Sequence, residues 1–529
     1  MMTSMLQRVS VFLVRMIIVL ASGACLLAAS VSVAQDKPQY GGHLRVGYTL
    51  EPTSLDPHSA KSGGDVYYWR QMFDQLINVD LSGKPDASTS LASSWEIAEN
   101  PHSMTLTLRP GVKFHDGTPF NAEAVKKNIE RVMDPATKSA ARTNIATISS
   151  VDVLGEFKVR LNLADAWAPG PATLSLAGGA MNSPTAMAKL AQDYGWNPSG
   201  SGPFKLKEVV TGSYVRLVRN ENYWGKDKAG NRLPYLDEVT IRVIKDETVL
   251  ASALRAGEID IAYVPNREVD AFLKDPKFSI TKMEGGNIAS MLVFNPDMPA
   301  VSSIHARQAI AHAINPADIN KAVYFGKSSI ADAGVWPPGT WAYQPSPAHL
   351  HYDLKLSREA LAALGKPQGF EVDILTFNNP LHQQAIEIIR AQLARVGIKA
   401  NIEVMTVGGA TEKMFGGRKT SIYLTSWPRN PEPDTHSAYG FKAGAFYNAS
   451  RKSTPALEAM ITHGATTYDQ TKRAEIYRRV TDMVLMQANW QPLLYGNFFV
   501  AAPKKVQNMN TFIAWDGRMQ LKELWIRQQ

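Results

Sequence analysis

The sequence predicts an α/β protein of two lobes that close like a clamshell, and three observations carry that expectation. Residues 372–407 read β-α-β: a strand at 372–375, a long amphipathic helix at 383–396 ended by Gly397, and a strand at 398–407. The chain has 529 residues, 45% of them hydrophobic and 20% charged, which is ordinary globular composition and far too much chain for a single small domain. The strand and helix pattern pauses at Gly285 and Gly286. If the C-terminal strands return to the first lobe, a second crossing falls near Tyr495 and Gly496, and two crossings make a hinge.

From the N-terminus, the first 34 residues differ from the rest. Arg8 and Arg15 are the only charges before Asp36, 16–29 is a short apolar run, and Ser32-Val33-Ala34 is a small-x-small site. This is the layout of a cleavable secretory signal peptide, and it places the mature protein in the periplasm. The single cysteine, Cys25, lies inside that segment, where Ser22 and the continuing Leu26-Leu27 argue against lipid anchoring. Cleavage after Ala34 leaves no cysteine, hence no disulfide and no thiol chemistry. The net charge of +8 falls to +6 without the two leader arginines, and the basic residues are scattered rather than blocked. A nucleic-acid binder is not indicated.

The mature chain opens with an alternating strand at 43–48 and a turn at 51–57, followed by a helical stretch from Tyr67 to about Leu76. The stretch 94–135 reads as one unit. Met104, Leu106 and Leu108 alternate as a strand, Pro110-Gly111 and Asp116-Gly117 turn, Asn121 stands as an N-cap, and Val125, Ile129 and Val132 follow at helical spacing until Asp134-Pro135. Strands are expected at 148–153 and 157–163, a hairpin at 204–219, a strand at 239–243, a helix at 247–256 and a strand at 290–295. Helices follow at 305–314 and 317–324, and Ser357 caps another. After the β-α-β run come a strand at 421–427, a helix at 470–488 and a strand at 492–501.

Catalytic motifs fail on inspection. Gly326-Lys327-Ser328 lacks the upstream glycine of a phosphate loop, because Lys321 stands there, and no G-x-S-x-G or H-E-x-x-H occurs. His349 and His351 could share a strand face, but a solvated or capping role is the commoner one for such histidines. Glu432 and Asp434 flank Pro433 in a loop that offers no evident acid/base partner. No cofactor, no metal and no enzymatic activity is expected.

The order R-x-G-V-x-F-H-D-G-x-x-F-x-A-x-x-V, from Arg109 to Val125, resembles the extracytoplasmic solute-binding proteins of peptide/nickel-type ABC importers. So do Gly200 to Lys205, Arg219-Asn220, Tyr223-Trp224, Leu236 to Val239, Ala256 to Asp260, Arg307 to Ile310 and Leu393 to Ile398, all in order along the mature chain. The resemblance implies a first lobe at 35–285 with an α+β subdomain inserted at about 80–200, a second lobe at 286–495, and a return at 496–529. It implies capture of a peptide or similar small solute in the interlobe cleft and delivery to a membrane permease driven by an ATPase, by a monomer. An extracytoplasmic hydrolase or peptide holder is the alternative, and nickel or haem capture a lesser one.

In peptide-binding members of that family an aspartate pairs with the ligand's ammonium. Aligned on Pro433-Asp434, that position falls here on Arg429, which would repel an ammonium and attract a carboxylate or phosphate. Glu432 could replace the lost acid. Trp427, ending a strand, is the aromatic expected to stack on ligand. Asp434, Tyr439, Trp341 and Tyr495 complete the candidate ligand-binding residues.

Overall fold

A long two-stranded ribbon runs through the middle of the molecule and connects its two main cores. Its strands are Phe278–Phe294 and Trp490–Pro503, antiparallel from Phe278 opposite Pro503 to Val293 opposite Trp490. The structure is a computed structural model and describes residues 37–528, of which 40–528 belong to one compact unit. The expected signal segment 1–34 and Cys25 lie outside the described residues. Among the described residues no helix is long and apolar enough to cross a membrane.

The ribbon sits inside an 11-stranded sheet, one strand of which, Ser329–Ile330, pairs off the main order with Tyr495 and Leu494. On one side it is followed by Ile261–Tyr263, His43–Tyr48, Glu238–Val243, Tyr214–Arg219 and Phe204–Val210. On the other it is followed by Ile422–Pro428, Glu371–Phe377 and Lys399–Met405. The last two strands are parallel and flank the helix Pro380–Ala394 in sequence, so the predicted β-α-β run is present. Its helix starts three residues earlier than the periodicity suggested, because Asn379 caps it and Pro380 occupies the first turn, where a missing N–H is harmless.

Alternation along the strands distributes side chains to two faces. Leu292 and Phe294 join one apolar core with Ile374, Ile386 and Ile389, and Met291 and Val293 join another with Tyr423, Tyr477 and Val480. At the ribbon's other end Leu44, Val46, Val239 and Ile241 pack with Val500, Phe512 and Leu524, so the C-terminal segment completes the core begun by the first strand. A separate antiparallel sheet orders Ala92–Glu99, His102–Leu108, Lys158–Leu163 and Ile148–Gly155. The helix Ala122–Met133 packs into its own core, and Asn121 caps that helix by accepting from the Ala124 N–H at 3.0 Å.

Several local expectations need correction. The strand foreseen at 290–295 is the end of a 17-residue strand that continues through Gly285 and Gly286. Both glycines are steric necessities: a Cβ on Gly286 would lie 2.1 Å from the Phe498 ring, and Gly285, at φ +60°, approaches the Pro338 carbonyl. The helical stretch after Tyr67 is only Val66–Trp69. The helix assigned to a Ser357 cap starts at Leu354 under Asp353, and Ser357 instead donates to the Ala309 carbonyl at 2.7 Å.

Candidate functional site

The strand Ile422–Pro428 delivers Trp427, Pro428 and then Arg429 to the edge of a cavity of about 730 Å³. One wall is aromatic: Phe377, Phe415, Tyr423, Trp427, Tyr439 and Tyr447. Trp427 packs perpendicular to Tyr447 and to Trp490, each at 5.0 Å between ring centroids. Its indole N–H is buried and has no protein partner. The opposing wall comes from the side of the first strand, His43–Tyr48, with Tyr48 stacked on Tyr67 at 4.1 Å, and from Phe498, Asp516 and Arg518. Gly286 and Asn287 of the ribbon form the floor between them. Along the strand, Ile422 and Tyr423 pair with Ile374 and Leu375, but beyond Tyr423 no described strand pairs with that edge.

Charge at the cavity is unbalanced. Asp516 is held between two guanidiniums, Arg70 at 2.7 Å and Arg518 at 2.9 Å. Burial alone would raise its carboxyl, but the two arginines outweigh burial and hold it well below the usual carboxylate range. Among the described residues no carboxylate lies within ion-pair distance of Arg429. Its Nη2 donates to the Leu81 carbonyl at 2.9 Å and the Gly339 carbonyl at 2.5 Å, and its other N–H groups make no protein hydrogen bond. The side chain is 5% exposed. Burial lowers its pKa to about 10, with Asp516 and Asp80 opposing, so it remains a cation at neutral pH.

The acids of the following loop are committed elsewhere. Glu432, 1% exposed, accepts from Arg473 Nη1 at 3.1 Å and Nη2 at 2.5 Å, and caps the helix Pro433–Gly440 by accepting from the Asp434 N–H. It does not replace the family's missing acid, because both oxygens are taken. Asp434 lies behind the loop and accepts from the Tyr477 hydroxyl at 3.3 Å. Burial, with Glu432 next to it, pushes its carboxyl up to about 6. The folded state therefore holds this proton more tightly than the unfolded chain does. The stability the group contributes is complete below about pH 4 and is lost as pH rises through about 6. Asp434→Asn is expected to raise the unfolding free energy above pH 7 by up to about 3 kcal/mol and to flatten urea midpoints between about pH 4 and 7.

Of the six residues singled out from sequence, Trp427, Arg429 and Tyr439 line the cavity and Asp434, Trp341 and Tyr495 do not. Trp341 supports the loop from behind, donating from Nε1 to the Pro431 carbonyl at 2.9 Å under the Arg473 guanidinium. Tyr495 is wholly buried in the ribbon and donates to the Gly334 carbonyl at 2.8 Å. Phe377, Phe415, Tyr423 and Tyr447 carry no functional signal in the sequence: Phe377 and Phe415 reach the cavity at the ends of their elements, Tyr423 near the start of its strand and Tyr447 from a loop. His349 bonds to the Pro492 carbonyl, and no group of three metal-ligating side chains occurs among the described residues.

Two cores joined by a ribbon, with a cavity walled by both, define a two-lobed solute receptor. Sequence comparison agrees: the family profile for bacterial extracellular solute-binding proteins, family 5 Middle, matches residues 87–448, and the chain belongs to this family. Among curated proteins it is similar to the glutathione-binding protein GsiB of Shigella flexneri, 27% identical over 465 residues, 86% of this chain and 89% of that protein. Among solved structures it is similar to the periplasmic binding protein DppA of Helicobacter pylori in complex with the peptide STSA. That match has a TM-score of 0.76 and 26% identity, covering 93% of this chain and 99% of that one. AgaA of A. tumefaciens R10, in complex with agropinic acid, matches with a TM-score of 0.75 and 25% identity over 92% and 99%. The protein is thus a periplasmic solute-binding component of an ABC importer, serving permease and ATPase subunits.

Proposed function

We propose that the protein captures a small peptide or peptide-like solute bearing an anionic group and releases it to the permease chemically unchanged. The observation that carries this reading is Arg429, a buried guanidinium on the cavity wall in ion-pair contact with no carboxylate among the described residues. A buried cation is costly unless paired, so an anionic ligand group is its natural counter-ion. The strand edge beyond Tyr423, which no described strand covers, suits a main-chain contact from a peptide-like ligand, and the aromatic wall suits its apolar parts. The ligands named for the three relatives are all carboxylic acids.

On this reading the ribbon is the hinge and the lobes divide near 285/286 and 495/496. Shifts in strand register between Met283 and Asn287 and between Ile288 and Met291 support that position. The four-stranded sheet with its own core supports an inserted subdomain within 80–200. The hairpin pairing Asn78–Val79 with Pro85–Asp86 then works as a closure contact. Its tip gives the Leu81 carbonyl to Arg429 and the Ser82 carbonyl to the Trp341 N–H at 3.1 Å. Gly83, at φ +93°, leaves no room for a side chain, since a Cβ would lie 2.9 Å from the Pro431 oxygen. Gly83→Ala should therefore weaken ligand binding about tenfold in calorimetric titration, with a small loss in ligand-free melting temperature.

The reading is tested by purifying the mature protein, denaturing it gently and identifying the released solute by mass spectrometry. Titration of the ligand-free protein with glutathione and short peptides then follows. One intact acidic molecule per chain is expected. Release of a cationic or neutral solute overturns the anionic assignment, and conversion of the bound solute to product overturns simple binding.

A further inference from the structure

We propose that a second cavity, separate from the anion-binding one, takes a neutral and largely apolar small molecule with a single hydrogen-bonding group. This cavity measures about 360 Å³. Tyr48, Leu50, Tyr67, Asn287 and Phe498 form a wall shared with the first cavity. Gly286 lines only the first cavity, and Ala289 and Phe499 only the second, so the ribbon separates the two spaces. Small-ligand sites typically occupy roughly 300–1,000 Å³, and a space of this size admits no helix or protein segment.

Four observations point to an apolar occupant. The walls are mainly Leu250, Tyr263, Val264, Val323, Tyr324 and Phe499. Leu50, Phe325 and Leu381, also in the lining, are left 48%, 52% and 40% exposed, an unusual convergence of large apolar side chains on one space. Phe325 adopts φ +56°, a left-handed conformation uncommon for a bulky residue, and strained backbone of this kind collects at ligand sites. The hydroxyl of Ser328, which contributes to the same lining, is buried and without a protein partner. The only charged residues in the lining are Glu247 and Arg267, and Arg267 is engaged by the Thr248 hydroxyl at 2.7 Å and by Glu268. No uncompensated cation stands here to draw an acid, in contrast to Arg429.

Both cores contribute walls, Leu50 and Tyr263 on one side and Phe325 and Leu381 on the other, so the volume follows the angle between the lobes. An occupant would therefore alter affinity in the first cavity by the same factor as the first ligand alters its own.

The test titrates the ligand-free protein with N-phenyl-1-naphthylamine, a neutral probe that brightens in apolar surroundings. Saturable binding of one probe per chain is expected. Leu381→Glu and Phe325→Asn should each weaken it at least tenfold. Both side chains are exposed, and asparagine tolerates the backbone conformation of Phe325, so unchanged melting temperatures will show that the fold persists. Absence of saturable binding overturns the proposal, as does binding that survives both substitutions. It also fails if Val407→Glu, in the lining of the first cavity alone, removes the signal while the other two leave it intact.

Discussion

Replacing Arg429 by glutamate is expected to abolish measurable ligand binding, and replacing it by methionine to weaken binding about 100-fold. A hydrogen bond to a charged group contributes about 1.5–3 kcal/mol, and each 1.4 kcal/mol is a factor of ten in affinity. The Nε and Nη1 groups free of protein bonds allow up to two such contacts with a ligand oxyanion. Glutamate adds repulsion of about 4 kcal/mol at close range. Stability should respond differently. Methionine removes a desolvated cation, which is stabilising, and leaves the Leu81 and Gly339 carbonyls without a donor, which is destabilising. These effects oppose each other, so the ligand-free melting temperature should move by only a few degrees. Calorimetric titration of wild type and both variants with the ligand recovered by mass spectrometry gives the answer. Affinity of Arg429→Met within threefold of wild type would remove Arg429 from the site.

The larger stability effect belongs to Arg473, which touches no ligand. Arg473→Met leaves the Glu432 carboxylate buried with no counter-ion and should cost about 3–5 kcal/mol. Because Glu432 also caps Pro433–Gly440, the loop carrying Arg429 and Asn430 loses its anchor, and ligand affinity should fall with stability. Adding Glu432→Gln to Arg473→Met should recover about half of the lost unfolding free energy in urea titrations, since the uncompensated charge is then gone. Equal stability of the single and double variants would show that the cost is packing of the guanidinium against Trp341 and Tyr477 instead.

Elements with a local signal were legible in the sequence. Asn121 and the spacing of Val125, Ile129 and Val132 gave the helix Ala122–Met133, and the alternation at Met104, Leu106 and Leu108 gave His102–Leu108. Where the signal was ambiguous the tertiary structure decided. Gly285 and Gly286 look like the end of a strand, yet the ribbon continues through them because its partner Phe498 fills the space a side chain would need. The short helix at Pro433 was hidden because two prolines and two acids read as loop, while Glu432 in fact caps it. Family alignment brought attention to Arg429 and could not show its two carbonyl partners, one of which comes from a hairpin 348 residues away. Tyr495 and Tyr439 are equivalent as sequence. Strand pairing places the first inside the ribbon, and the helix Pro433–Gly440 carries the second to the cavity.

The completion of the first core by Val500, Phe512 and Leu524 bears on how the chain is made. His43–Tyr48 pairs with Ile261–Tyr263, which in turn pairs with Trp490–Pro503, and the counter-ion of Arg70 is Asp516. These contacts join residues more than 200 positions apart in sequence, and contacts of such separation slow folding. For a periplasmic protein this delay is useful. A chain that folds slowly stays threadable for longer, which favours passage through a membrane before long-range contacts such as those of the ribbon lock.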